Sequence, residues 1–395
     1  MNYRKTSIRT SVSMMFFTSA LCFSSWTCRI SFLQERLSLN DGQFGFLLFS
    51  LPLGVFFSLP LSNLLAKKIG SRKLLLVGLS LMSVILTALS FIHNVYLFST
   101  CLLAFGFANN ATNLAANIQA IETERVYQKP IIGSFHGIWS VAALIGSVIG
   151  SLSMSLQIPI QFQYVTISVI SIMLILVFNK FLHVHDLKTE NNSKTFNLKV
   201  FNKYVILLGL IALCAMVGEG SMYDWSEIYL KRTFGSNHFQ SSLGYSLFML
   251  SMTLGRFGSD KAVRFFGLNS SLILGGSIMA VGFLIAISSP SFAFVLISYC
   301  LIGSGVSLII PVVYGIIAKI GNTDISQYIT VVSSVSFFGL LFAPPVIGIL
   351  AQSFSIKIAF ILLLLISLLS IVLSQYFMSL LIRKDRSLLI NSRET

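Results

Sequence analysis

Apolar runs of about 20 residues recur from one end of this chain to the other, separated by short polar or glycine-bearing joints. They predict spans at 10–33, 43–65, 73–92, 95–118, 130–153, 158–182, 204–229, 240–259, 269–288, 291–318, 327–351 and 356–382. A run of that length is what an α-helix needs to cross the hydrocarbon of a bilayer. Segments of about ten residues with strict apolar–polar alternation, the mark of a membrane β-barrel, are not the pattern here. The prediction is an all-α membrane protein with twelve transmembrane helices.

The longest polar stretch, His183 to Lys203, divides the spans six and six. It predicts a bundle over 1–182, a cytoplasmic linker over 183–203, a second bundle over 204–382 and a cytoplasmic tail over 383–395. The halves echo one another. Trp26 and Trp225 are 199 residues apart, as are CLLAFG at 101–106 and CLIGSG at 300–305. VIG at 148–150 recurs at 346–348, and Gly70 and Gly267 are 197 apart. Four landmarks in order, at nearly constant offset, point to a duplicated six-helix bundle. Parallel repeats of this kind place a solute site near the membrane midplane, where the halves meet.

Charge sharpens the picture. Only 10% of residues are charged, against about 25% in soluble domains. The net charge of +14 would suit nucleic acid, but its distribution does not. Of 27 Lys and Arg, 21 fall in segments on one side of the predicted membrane. Four, Arg36, Lys231, Arg232 and Lys357, fall on the other, and Arg29 and Arg256 lie inside helices. By the positive-inside rule both termini are cytoplasmic, so the partner is a lipid bilayer, with no nucleic acid. The five cysteines all sit in spans with no metal-ligand spacing, so no disulfide, metal or cofactor is expected. The first span is too long for a signal peptide and lacks an A-x-A-like site, so it is expected to stay uncleaved.

Five stretches carry a family resemblance: SSWTCRISFLQERLSL (24–39), ANIQAIETERVYQK (116–129), FHGIWS (135–140), EGSMYDW (219–225) and TLGRFGSD (253–260). The whole chain resembles the major facilitator superfamily, and within it the YbjJ-like inner-membrane subgroup, which is distantly similar to fucose permeases. The resemblance implies transport by alternating access, with the first, fourth, seventh and tenth spans lining the cavity. It also implies a cytoplasmic loop motif, roughly G-x-L-A-D-R-x-G-R-R, which NLLAKKIGSRK at 63–73 keeps only in part. Gly70 and Arg72 are present, Asn63 replaces the leading Gly, and Lys67 stands where the family has Asp. In the second half the motif region holds Arg256 and Gly267, with Arg264 at the Asp position. That Asp helps hold the cytoplasmic side closed in the family, so Asp324, Glu122 or Glu124 is expected to supply the missing counter-charge.

Ionisable groups inside spans are costly and usually face the bundle interior. The stretch VGEGSMYDWSE at 217–227 holds three, Glu219, Asp224 and Glu227. At 1.5 Å per residue Glu219 lies about 20–24 Å into its helix, just past mid-depth. It is a candidate substrate acceptor or proton-coupling group; the bland alternative is a carboxylate satisfied by nearby backbone beside Gly218 and Gly220. Tyr223, four residues on, shares its face. Arg29 sits at the depth of Asp224 and is expected to pair with it, as a gate or as a static ion pair. Glu227 is expected to be a solvated helix-end residue.

The fourth span carries Asn109, Asn113 and Asn117 at i, i+4 and i+8, with Asn110 beside them. Their amides both donate and accept, which suits a polyhydroxylated ligand; the alternative is hydrogen-bonded glue between helices. His136 and Trp139 in the fifth span offer a titratable ring and a stacking face, and a lone His in a span is more often structural. Tyr314, three residues after Pro311, completes a possible lining, while Trp26 and Trp225 suit an interfacial belt. The resulting expectation is a monomeric secondary active transporter. Its solute is small and polar, a sugar or related compound, and the proton is the candidate coupling ion. Multidrug or metabolite efflux is the rival within the class, and would call for an apolar, aromatic cavity. An integral-membrane enzyme or a sensor is the remote rival, because no phosphate loop, HExxH or Ser/His/Asp cluster occurs and no catalytic residue is assigned.

Overall fold

The computed structural model describes residues 2–128, 131–182, 202–320 and 325–391. The expected linker up to Phe201, the loop carboxylate Asp324 and the last four residues of the expected tail lie outside the described residues. The first six predicted spans become α1 (Asn2–Thr27) with a short α2 (Ile30–Arg36), α3 (Asp41–Ile69), α4 (Ser71–Leu89), α5 (Val95–Tyr127), α6 (Ile132–Ser155) and α7 (Ile160–Phe178). The second six become α8 (Lys203–Phe234), α9 (His238–Phe266), α10 (Leu268–Ser288), α11 (Phe292–Ile320), α12 (Ile325–Ser353) and α13 (Ile356–Asn391). Twelve long helices thus stand where twelve spans were expected, with no strand among the described residues. Nine of them are long and apolar enough to cross a membrane by composition alone; α1, α5 and α9, with their polar stripes, fall below that threshold.

The helices differ from the sequence expectation in two ways that matter. Several helices outrun their apolar windows: α5 continues to Tyr127, α8 to Phe234, and α9 from His238 to Phe266. Helical hydrogen bonds close within the segment, so the backbone continues through polar residues after the hydrophobic run has ended. The first span is not one helix. It breaks at Cys28–Arg29, where Arg29 leaves helical geometry (φ −115, ψ 10) and α2 begins. The break turns the Arg29 side chain away from the line of α1.

The chain forms two compact units, Met1–Asn192 with Asp224–Met249 and Pro344–Ser353, and Ser193–Tyr223 with Leu250–Ala343 and Phe354–Thr395. In the first, α3 and α4 pack on α5, α4 also on α7, and α1 on α5, α6 and α7. In the second, α10 packs on α11 and α13, the same neighbour relation that α4 has with α5 and α7. The duplication seen in the sequence is therefore a duplication of packing. Its joints match too: Gly70 between α3 and α4 (φ 83) and Gly267 between α9 and α10 (φ 80) both take the left-handed region that favours glycine.

Small residues set the helix spacing. A Cβ on Gly54 of α3 would fall 1.9 Å from the Leu103 carbonyl oxygen, and one on Gly106 of α5 would fall 2.0 Å from that of Leu51. Gly305 of α11 and Gly275 of α10 approach each other in the same reciprocal way. Backbones this close gain van der Waals contact where lipid supplies no hydrophobic drive. Trp26 and Trp225 are buried, against Phe98 and Phe44 respectively, and so are not interfacial aromatics as expected.

Gly54→Ala is expected to lower stability by about 1–3 kcal/mol, because neither backbone can yield. A lower melting temperature of the detergent-solubilised protein would show it. Gly133→Ala, with open space at its Cβ, should leave that temperature unchanged.

Candidate functional site

In the second unit, Glu219 of α8 is buried and ion-paired. Arg256 of α9 places its Nη2 3.2 Å from Glu219 Oε1, and the Tyr223 hydroxyl donates to the same oxygen at 2.5 Å. The i, i+4 face expected for Glu219 and Tyr223 is therefore occupied as a hydrogen bond. The flanking glycines serve packing: a Cβ on Gly218 would fall 3.0 Å from Met279 Sδ, and one on Gly220 2.7 Å from Leu340 Cδ1. Side chains, not neighbouring backbone, satisfy the carboxylate. Arg256, read from the sequence as lying inside a span and in the loop-motif region, lies within α9. It stands ten residues before the end of α9 at Phe266, whereas the apolar window closes three residues after it at 259. Tyr314 of α11 bonds the Ser333 hydroxyl of α12 at 3.0 Å.

In the first unit, α5 turns Ala108, Ala111, Thr112 and Ala115 inward and leaves Asn113 exposed, with Asn109, Asn110 and Asn117 half-buried. Asn117 Nδ2 donates to both the carbonyl and the Oδ1 of Asn113 at 2.8 Å. Two amides of the stripe, Asn113 and Asn117, are thus bonded to each other along one helix face. His136 is exposed and its ring stands edge-on to Phe16 at 5.4 Å; Trp139 is half-buried beside Phe23 at 6.4 Å. Both lie on the side of α6 that packs on α1.

The end of the first unit opposite the Gly70 joint, called the far end below, is closed by polar contacts that the sequence did not show. Arg29 does not meet Asp224. Its Nε donates to Gln163 Oε1 at 2.7 Å, its Nη2 to the Ile158 carbonyl at 3.0 Å, and its guanidinium lies over Phe32. The reason is the break after α1, which aims Arg29 at the start of α7. Arg232 pairs with Asp41 at 3.0 Å, and Gln34 donates to the same oxygen at 2.7 Å. Lys231 pairs with Glu35, which His238 Nε2 approaches at 3.4 Å. Ser242 and Ser246 of α9 bond Ser151 of α6 at 2.8 and 3.3 Å. Gly45 of α3 and Gly348 of α12 meet backbone to backbone. Glu227, expected to be solvated, is 3% exposed, and its Oε2 accepts from the Ser31 backbone N–H at 3.2 Å.

The loop at the basic end uses its acids locally. Glu124 Oε2 accepts from the backbone N–H groups of Ile131 and Ile132 at 2.7 and 3.0 Å, capping α6, and Glu122 pairs with Arg125 at 3.3 Å. Lys67 is exposed, and Arg72 donates to Asn179 at 3.3 Å.

A polytopic bundle with a duplicated packing pattern and charged groups held inside it defines a membrane transporter fold. The sequence profile of the Major Facilitator Superfamily matches residues 12–267 and 208–394, and the chain belongs to that family. An uncharacterized MFS-type transporter of Yersinia pestis is 30% identical over 358 residues, spanning 89% of this chain and 90% of that one. Among solved structures, a mutant of the nucleoside transporter NupG matches with a TM-score of 0.80 at 15% identity, covering 94% of this chain and 99% of that one. A bacterial homolog of the human lysosomal transporter Spinster matches with a TM-score of 0.76 at 12% identity, covering 96% of this chain and 97% of the other.

Removing Arg256 alone should cost more than removing both members of the Glu219–Arg256 pair, since a buried carboxylate without its cation remains. A double-mutant cycle of Glu219→Gln and Arg256→Met is expected to give a coupling of about 0.5–3 kcal/mol in unfolding of the purified protein. Additive effects would mean the two groups do not interact.

Proposed function

We propose that the chain is a secondary active transporter that moves a small polar solute, a sugar or related compound, by alternating access with a proton. It works as a monomer in the bacterial-type cytoplasmic membrane, with both termini in the cytoplasm. The observation that carries the reading is the interior ion pair of Glu219 and Arg256, closed by Tyr223. An interior pair is weak evidence for stability, because desolvation offsets most of its attraction. In a membrane helix such groups mark solute and proton paths. Protonating Glu219 cancels its charge and frees Arg256 and Tyr223 as donors to a solute hydroxyl or carbonyl. The amide ladder of Asn113 and Asn117, with Asn109 and Asn110 near it, supplies further paired donors and acceptors. Trp139, His136 and Tyr314 extend the set of recognition groups. The nucleoside carried by the structural neighbour belongs to the same broad class of polar, hydroxylated solutes, which earns it a place in a test panel.

Proteoliposomes screened with sugars, polyols and nucleosides provide the test. One solute should drive proton movement in the wild type, and Glu219→Gln should bind it without moving protons. Solute binding with no proton movement in either protein would make Glu219 a ligand and the transporter a uniporter. Asn113→Ala should weaken binding of that solute about tenfold, the loss of one to two hydrogen bonds. Unchanged binding in that variant would favour the efflux reading.

A further inference from the structure

The far end of the first unit concentrates buried polar atoms that have no partner. Among the described residues, Glu227 Oε1, Tyr164 Oη, Arg36 Nε and Trp225 Nε1 are all buried without a hydrogen bond. Buried polar atoms are nearly always satisfied, so a cluster of exceptions calls for an explanation. Glu227 is the sharpest of them. It is 3% exposed; Oε2 accepts the Ser31 backbone N–H, the Ser31 hydroxyl stands close to the carboxyl, and Oε1 has no hydrogen bond. Its electrostatic neighbours are Arg29 and Cys28 from the α1–α2 segment, Tyr164 from α7, and Lys231 from α8 itself.

Both cations are committed elsewhere, Arg29 to Gln163, Ile158 and the Phe32 ring, and Lys231 to Glu35. No described cation forms an ion pair with Glu227. An ionised carboxylate in that setting would be a buried, half-bonded charge, the most expensive state for such a group. A neutral carboxyl fits the same space. The elements around it, the end of α8 and the α1–α2 break, are the ones whose polar contacts shut this end.

We propose that Glu227 is a second proton-binding carboxyl of this protein, which takes up a proton as the far end closes around it and releases it to outside water when that end opens. The step is a plain proton transfer. A hydronium reverts to water as an O–H bond forms at Oε1, while Oε2 keeps the Ser31 N–H. Opening hydrates the carboxyl, and the proton returns to water. Closure of this end is thereby tied to outside pH, independently of Glu219. The proposal rests on the alternating-access reading, since the end must open for the proton to leave.

The test uses the full chain in right-side-out vesicles with Ser242→Cys as reporter. Ser242 lies inside the closure, 2.8 Å from Ser151, so a membrane-impermeant maleimide reaches it only when the end opens. Labelling at that position is read by peptide mass spectrometry, which leaves the native cysteines in place. The quantity measured is the ratio of labelling rates between the parent and its Glu227→Gln derivative at each external pH, so reagent chemistry cancels. One proton bound on closing makes this ratio rise with pH by up to about tenfold per unit. Glu227→Met is a second neutral reference should the Gln variant misfold, and Glu227→Asp should retain the rise. A ratio that stays constant while both proteins label overturns the proposal alone, and assigns any pH dependence to the Glu35–His238–Lys231 group. Absence of labelling at every pH overturns it together with alternating access. Glu219→Gln should leave the ratio untouched, which separates the two carboxyls.

Discussion

Hydrocarbon offers a polar group nothing to bond with, so donors, acceptors and charges within these helices turn to partners inside the protein. Much of the architecture follows from that. Serines along α1, α4, α6 and α13 return their hydroxyls to carbonyls three or four residues back. Arg36 spreads its guanidinium over the carbonyls of Leu89, Ser90 and Ile92 and so closes the end of α4. Glu124 does the converse at the start of α6, an acid on free N–H groups. The same requirement brings Arg256 and Tyr223 to Glu219, because a carboxylate at that depth is tolerable only with such company.

Two kinds of helix contact serve two purposes. Inside each unit, glycine contacts such as Gly54 with Leu103 or Gly275 with Gly305 lock backbones together, and nothing in water or lipid replaces them. The far end of the first unit is joined differently, by ion pairs at Glu35 and Asp41, by serine hydroxyls at 151, 242 and 246, and by the Gly45–Gly348 approach, all within that unit. Water substitutes for the half-exposed Lys231–Glu35 pair at little cost, since exposed ion pairs are worth about 0–1 kcal/mol each.

Hydrophobic periodicity and charge bias made the twelve spans, the duplication and the membrane class legible, and Gly70 and Gly267 marked equivalent joints before their backbone angles were known. The site was legible in part. Glu219 and Tyr223 share a face because helix geometry alone puts them there. Arg256 was read inside its span, but its partner Glu219 was not legible, because a pattern along one helix does not say which neighbour it faces. Arg29 was matched to Asp224 on depth, yet a break of two residues redirected it to Gln163.

What the sequence determined by itself is everything that depends on local period and composition: which segments cross, where they repeat, which end carries the positive charge. Partnership was decided only by tertiary structure. Glu227 looks like a surface acid in the sequence, yet it is buried, with Ser31 of the seven-residue α2 donating to its carboxylate. The physical reason is that one-dimensional patterns fix a residue's depth in the membrane but not its azimuth, and a charge finds its partner by azimuth.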